Sequence, residues 1–449
     1  MGREVLVGVD VGTTSIKAIV AALDGRVLGD ASSVTPWRHD GPRADIDPEH
    51  LAQVVVATCI QAVRRCSDPA DGLPYVSGVG VTGFAESGVL IDAHGRACAP
   101  ALAWFDPRGD AQGLRERLSS LDFRRATGRR LNSKPSAAKI LWLQRNVPSA
   151  ASAVRHLCIA EWIVHYLGGE QVSEASLASR TGLLDIPTRR AWAPVTEIVG
   201  DLLPTQSVWA GDDAGVVGAD IAPELAGATL TVAGLDHQAA VLISGAARRG
   251  TLFDSMGTAE ALIRTVDPVT PDEMEALTEH DIDIDWSVIP DLQILLAGRL
   301  TGLTLERVSS MLGANDRESR AALGEAALVA DRASGPWLTE VTNDAVVLGG
   351  ITDGITPGQT WRAVVEDLTS QAGEALDHMA DIVGPFDVSV MAGGWSRNPM
   401  VTEAKKRQLG DVRMAHISEP GALGAAFLAG VACGILERPG DDGRARWLS

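Results

Sequence analysis

Two glycine turns of the same kind, Asp10-Val-Gly12-Thr13-Thr14 and Ser255-Met-Gly257-Thr258-Ala259, lie 245 residues apart in this chain, counted from Gly12 to Gly257. Each joins two apolar runs, residues 5–9 to 16–23 and residues 251–254 to 260–263. After the first pair, Asp24-Gly25 is a strong hairpin signal before residues 26–33, so the chain opens with three consecutive antiparallel strands. One supersecondary unit met twice at this spacing predicts two similar α/β halves. The length of 449 residues accommodates two domains, joined near residue 247: 1–247 and 248–449.

The remaining pattern is compatible with that plan. Residues 48–65 are predicted as a helix, with Asp47 as N-cap and Pro48 in the first turn. Residues 77–82 form a buried strand, and residues 89–91 with the Asp92–Gly95 turn predict a further hairpin. Residues 230–233 form a strand that runs into Gly234-Leu-Asp236-His237-Gln238 and then a helix of small residues over 239–247. Late in the chain, a strand over 387–391 opens onto Gly393-Gly394-Trp395-Ser396-Arg397-Asn398. A second small-residue helix over 422–434 suits close packing near the junction of the halves. The Pro/Asp-rich stretch 267–290 is an excursion from the second half.

Composition narrows the partners. The formal net charge is −19, which disfavours nucleic acid and anionic membrane as ligands, since both are held chiefly by Lys and Arg. Five scattered cysteines without a Cys-x-x-Cys pair fit a reducing compartment, and no uncharged stretch approaches a bilayer span. A cytoplasmic location is expected.

Four constellations carry chemistry. Asp10 ends a strand, where a carboxylate can hold hydrated Mg²⁺, and Gly12, Thr13 and Thr14 can approach phosphate oxygens, with Lys17 offering charge. Gly257 and Thr258 repeat that arrangement, so two such turns facing across a cleft would cradle a polyphosphate. Gly393 and Gly394 at a strand–helix junction let a base or phosphate lie against backbone. Asp236 opens a helix, where it is either an N-cap or a general base that takes a proton from an attacking hydroxyl.

Together these motifs resemble the FGGY family of carbohydrate kinases, within the sugar kinase/Hsp70/actin superfamily, over nearly the whole chain. Further matches are Lys139-Ile-Leu-Trp142-Leu-Gln-Arg-Asn146, Leu348-Gly-Gly350 with Arg362–Glu366, Trp104-Phe-Asp106-Pro-Arg108, and Glu419-Pro-Gly-Ala422-Leu-Gly424-Ala-Ala426. The resemblance implies two actin-like (ribonuclease H-like) α/β domains flanking a deep catalytic cleft, with ATP and Mg²⁺ as cofactors. It places Asp10 near the metal, Gly12, Thr13, Thr14, Gly257 and Thr258 on phosphate, and Gly393, Gly394 and Asn398 beside adenosine. Asp236 becomes the catalytic base for a primary hydroxyl.

The acceptor end departs from the relatives. Counted back from Asp92, the register reads Phe84-Ala85-Glu86-Ser87, so Glu86 falls where the family presents Glu or His to sugar hydroxyls, while the neighbouring Arg or Met is Ala85. Trp104 would wall the acceptor and Lys134 would contact a carbonyl or carboxylate. The chain has only five lysines: Lys17 goes to the phosphate turn, Lys139 to a family signature, and Lys405 with Lys406 to a surface helix. The expected function is ATP-dependent phosphorylation of a primary hydroxyl on a small sugar, ketose or polyol. A non-catalytic nucleotide-binding regulator or scaffold of the same fold is the alternative, and it would need no base. A sugar or polyol and ATP are the expected partners, nucleic acid and membrane are not, and a homodimer is left open.

Overall fold

The computed structural model describes residues 3–66, 72–332, 336–342, 345–440 and 447. Strands β1 (Glu4–Val11), β2 (Ser15–Ala22) and β3 (Val27–Val34) pair antiparallel in succession. Helix α1 (Pro48–Arg65) follows, its N-terminus capped by the Asp47 carboxylate, which accepts from His50 N. Then β4 (Tyr75–Gly83) returns parallel to β1, and β5 (Thr229–Leu235) lies parallel to β4. The sheet order is β5-β4-β1-β2-β3.

Between β4 and β5 the chain forms helices α2 (Ser120–Thr127) and α3 (Ser136–Asn146), among others. Helix α4 (Asp236–Ile243) starts directly where β5 ends, three residues earlier than the sequence pattern indicates. The plan then repeats. Strands β6 (Thr251–Met256) and β7 (Glu260–Val266) form the second glycine hairpin. The Pro/Asp-rich excursion becomes helix α5 (Pro271–Glu279) and edge strand β8 (Ile282–Trp286), which pairs with β9 (Gln293–Arg299). After helices α6 (Thr301–Met311) and α7 (Pro357–Val383), strand β10 (Val388–Ala392) lies parallel to β6. Helix α8 (Pro399–Leu409) leads to β11 (Val412–Met414), giving the order β8-β9-β7-β6-β10-β11. With β8 set aside as an added edge, both sheets have three antiparallel strands followed by two parallel ones. This is the α/β actin-like architecture that the sequence pattern implies.

The last described helix, α9 (Pro420–Ala432), leaves the second sheet and lies across β1 and β4 of the first and against α4. Glycine on the strands makes this approach feasible: a Cβ on Gly8 would sit 1.9 Å from Ala422 O, and one on Gly80 would sit 2.0 Å from Ala425 O. Backbone packs directly on backbone there, which no side chain larger than hydrogen permits.

Two local expectations change. The hairpin at the Asp92–Gly95 turn is present but short, with Gly95 N donating to Asp92 O, Asp92 N to Arg96 O and Cys98 N to Leu90 O around one Ile91–Ala97 bridge; the main pairing of Gly88–Ile91 is instead with Arg155–Cys158, which buries both strands against the first core. Lys405 is not on a free surface: it is 1% exposed and ion-paired, whereas Lys406 faces solvent. All five cysteines are free thiols, and no described helix is long and apolar enough to cross a membrane.

Gly80→Ala is expected to lower stability by about 1–3 kcal/mol through overpacking, measured as a lower urea midpoint. Gly298→Ala, where an added Cβ meets nothing within 4 Å, is expected to stay within about 0.5 kcal/mol of the parent.

Candidate active site

A cleft of about 580 Å³ separates the two sheets, and both glycine turns open onto it through Thr13, Thr14, Gly257 and Thr258. Asp236, Glu86, Trp104 and Lys134 line the same space. Asp10, Gly12, Lys17, Gly393, Gly394 and Asn398 lie outside its lining.

The first turn is braced from the acceptor side. Trp37 Nε1 donates to Thr13 O at 2.6 Å, Thr35 Oγ1 donates to Gly12 O at 2.7 Å, and Trp104 Nε1 donates to Thr13 Oγ1 at 3.0 Å. The Thr13 hydroxyl therefore receives a hydrogen bond and keeps its own proton to donate. Trp104, Phe105, Trp37 and Phe84 pack ring against ring. Behind the turn, Asp10 Oδ1 is buried without a hydrogen-bond partner. Burial, and next the charge of Asp236, push the Asp10 carboxyl up to about 7, against the pull of Lys17. The Lys17 ammonium is itself engaged by Glu419 at 2.6 Å.

The second turn is closely packed from two sides. A Cβ on Gly302, at the start of α6, would lie 1.8 Å from Gly257 O, and one on Gly393 would lie 2.4 Å from Met256 O. Gly393 also has φ of 97°, so glycine is required there twice over. Gly394 faces open space. Asn398, at the end of this segment, is the N-cap of α8. Its Oδ1 accepts from Met400 N, Val401 N and Trp361 Nε1, and its Nδ2 donates to Arg320 O, so a 5% exposed side chain is spent on capping α8.

Asp236 is the first residue of α4 rather than its cap, and its Oδ1 accepts from His237 N at 2.6 Å. Glu86 has φ of 57° and sits in a cluster that the sequence reading did not foresee. Arg180 bonds its carboxylate, with Arg129 at 3.8 Å. Burial opposes ionisation of Glu86, but the guanidiniums of Arg180 and then Arg129 outweigh it and hold the carboxyl below its ordinary range. The same arginines reach Asp283 and Asp285 on β8, with Arg129 Nη1 to Asp283 Oδ2 at 2.9 Å and Arg180 Nη1 to Asp285 Oδ2 at 3.1 Å. Thus a strand of the second sheet closes the cleft around Glu86. The one sequence signal for it was charge complementarity between Arg124-Arg125…Arg129-Arg130 and the alternating acids of 281–285. Lys139, 3% exposed, donates to Trp104 O at 3.2 Å, Ser133 O at 3.4 Å and Lys134 O, pinning the loop beneath the acceptor wall. Burial lowers its pKa to about 8, so it remains mostly charged at neutral pH.

Residues 5–242 match the profile described as "FGGY family of carbohydrate kinases, N-terminal domain". The chain belongs to this family. It is 29% identical to a glycerol kinase of Aromatoleum aromaticum over 96% of this chain and 90% of the relative. It is 26% identical to an L-fuculokinase of Escherichia coli over 99% and 96% of the two chains. Among solved structures, the fold is similar to that of a xylulose kinase from Rhodospirillum rubrum, with TM-score 0.85, 22% identity and coverage of 98% and 92%. A glycerol kinase of Plasmodium falciparum with ADP gives TM-score 0.85 at 18% identity, covering 97% and 91%.

The kinase is accordingly a phosphotransferase with an alcohol group as acceptor, using ATP with Mg²⁺. The residues fit that pair. Among the described residues no group of three or more His, Cys, Asp or Glu could hold a metal ion. A cation at the orphaned Asp10 carboxylate would complete its shell with phosphate oxygens and water, as Mg²⁺ commonly does.

Lys139→Met is expected to loosen the 133–134 loop and Trp104, raising the acceptor KM about ten-fold while the ATP KM stays within about two-fold. Steady-state kinetics with each substrate varied in turn check this.

Proposed function

We propose that this kinase transfers the γ-phosphoryl group of ATP to a primary hydroxyl of a small sugar, ketose or polyol, with Asp236 as general base. The observation that carries the reading is one cavity in which Asp236 stands with Thr13, Thr14, Gly257 and Thr258 as well as with Glu86, Trp104 and Lys134. A base that must touch both the acceptor oxygen and the transferring group needs that shared space. On this reading residues 1–247 bind the acceptor and supply the base, and residues 248–449 hold the nucleotide. The reaction is assigned to the cytoplasm, in keeping with the free thiols.

The acceptor hydroxyl gives its proton to the Asp236 carboxylate as its oxygen bonds to phosphorus, and the bond from phosphorus to the leaving ADP oxygen breaks. Bound Mg²⁺ supplies charge neutralisation on the phosphate oxygens. Asp10 is the carboxylate for that cation. The hydroxyls of Thr13, Thr14 and Thr258 donate to phosphate oxygens, and the Gly393–Gly394 segment beside Met256 supports the adenosine. Glu86, kept ionised by Arg180 and Arg129, accepts from acceptor hydroxyls. The Trp104 ring packs on the carbon chain, and Lys134 offers an ammonium to a carbonyl or carboxylate. Closure of the cleft excludes water, which favours transfer over hydrolysis.

Asp236→Asn is expected to lower acceptor-dependent ADP release about 10²–10⁴-fold with little change in either KM. Undiminished turnover would remove Asp236 from the role of base. The acceptor is found by screening tetritols, pentitols, ketoses, aldonates and cyclitols for stimulated ADP release. A response confined to aldonates supports the Lys134 contact, whereas turnover indifferent to every acceptor contradicts phosphoryl transfer to an alcohol.

A further inference from the structure

The hairpin that carries Gly257 and Thr258 has a carboxylate on each side of its turn, Asp254 on β6 and Glu260 on β7, and both are fully buried. Two acids this close in a core repel each other and lose hydration, and a counter-charge between them offsets that cost. Lys405 supplies it from α8. Its Nζ lies 2.9 Å from Asp254 Oδ2 and also bonds Glu260 Oε1. The other Glu260 oxygen accepts from Thr301 Oγ1 at 2.5 Å. Thr301 opens α6, and the next residue, Gly302, is the one packed flush on Gly257 O and Thr258 O. Helix α8 itself begins just after the Gly393–Asn398 segment, whose Gly393 lies on Met256 at the end of β6.

One buried ammonium therefore ties together the three pieces that surround the second turn: the hairpin, the start of α6, and the helix leading away from Gly393. We infer that Lys405 is a positioning residue for this turn, setting the place of Gly257 and Thr258 against the nucleotide without touching it. The inference rests on the proposed reading of the turn as a phosphate loop. An apolar plug would fill the same volume at no desolvation cost. What it would lack is directionality, since an ammonium with fixed partners locks the register of β6, β7 and α8 together.

The test is a comparison of Lys405→Met with Gly257→Val in the full-length protein, with ATP and acceptor varied separately and folding monitored by thermal melting. Lys405→Met is expected to raise the ATP KM about ten-fold or more with the acceptor KM unchanged, because the acceptor end shares none of these contacts. Thr301→Val cuts the tie to α6 yet leaves Glu260 paired with Lys405; it carries the same expectation and decides the matter where Lys405→Met does not fold. An unaltered ATP KM in the folded Lys405 or Thr301 variant, with Gly257→Val raised, overturns the positioning role alone. The same holds if only kcat falls, in proportion to the folded fraction. If Gly257→Val also leaves the ATP KM unaltered, the phosphate-loop reading falls, and the positioning role with it.

Discussion

The contact on which the cleft most depends is the seating of α9 on β1 and β4, backbone against backbone. Gly8 and Gly80 provide the bare strand surface, and Ala422, Ala425 and Ala429 provide the bare helix. The helix also presses on α4, where a Cβ on Gly424 would lie 2.2 Å from Ala239 O. Two of its neighbours carry acids of the site: β1 carries Asp10, behind the first turn, and α4 begins with Asp236, which lines the cleft. Small residues thus set how near the two carboxylates come. Burial raises the proton affinity of Asp10, and the charge of Asp236 at that spacing raises it further. Just before α9, Glu419 holds Lys17, so the same seating fixes the cation nearest Asp10.

Charge inside this acidic chain is used for register more than for net stability. Buried ion pairs often do no better than apolar replacements of the same size. Yet Arg129 and Arg180 hold strand β8 of the second sheet to Glu86 in the first half, and Lys405 holds the second turn to α8 and, through Glu260, to α6. In each case a guanidinium or ammonium with several fixed acceptors defines a direction as well as a distance. Apolar packing is less selective about both.

The site was legible in the sequence where its residues are local. A glycine turn between two apolar runs, an acid at a strand end, and an acid at a helix start are each encoded within a few positions, and the cavity brings Thr13, Thr14, Asp236, Gly257 and Thr258 together. What escaped was convergent. Arg180 meets Glu86 across 94 residues, and Lys405 meets Glu260 across 145. No window of sequence contains either pair. Nothing beside Gly302 in the sequence marks it, because the backbone that it must admit, at Gly257, is 45 residues earlier. Asn398 shows the opposite case: the Asn-Pro pair opening a helix is a local capping signal, and its side chain takes that role.

The acceptor end shows how a motif can lose a residue and retain the physics. Beside Glu86, Ala85 stands where some relatives have arginine, and read as a string this removes a cation from the site. In three dimensions the cation is present, because Arg180 and Arg129 reach Glu86 from elsewhere in the chain and keep it ionised. Their position is not equivalent to a neighbouring arginine. A residue next to Glu86 in sequence would share its loop and move with it. Arg180 and Arg129 are instead held by Asp283 and Asp285 on β8, so the charge on Glu86 is tied to the packing of the second sheet against the first half. On the proposed reading, an acceptor hydroxyl bonded to Glu86 would sense both halves of the molecule at once. Selectivity at this end would then depend on how the halves meet, and substitutions at Asp283 or Asp285 on β8, far from the family's motifs, would alter it as readily as substitutions beside Glu86.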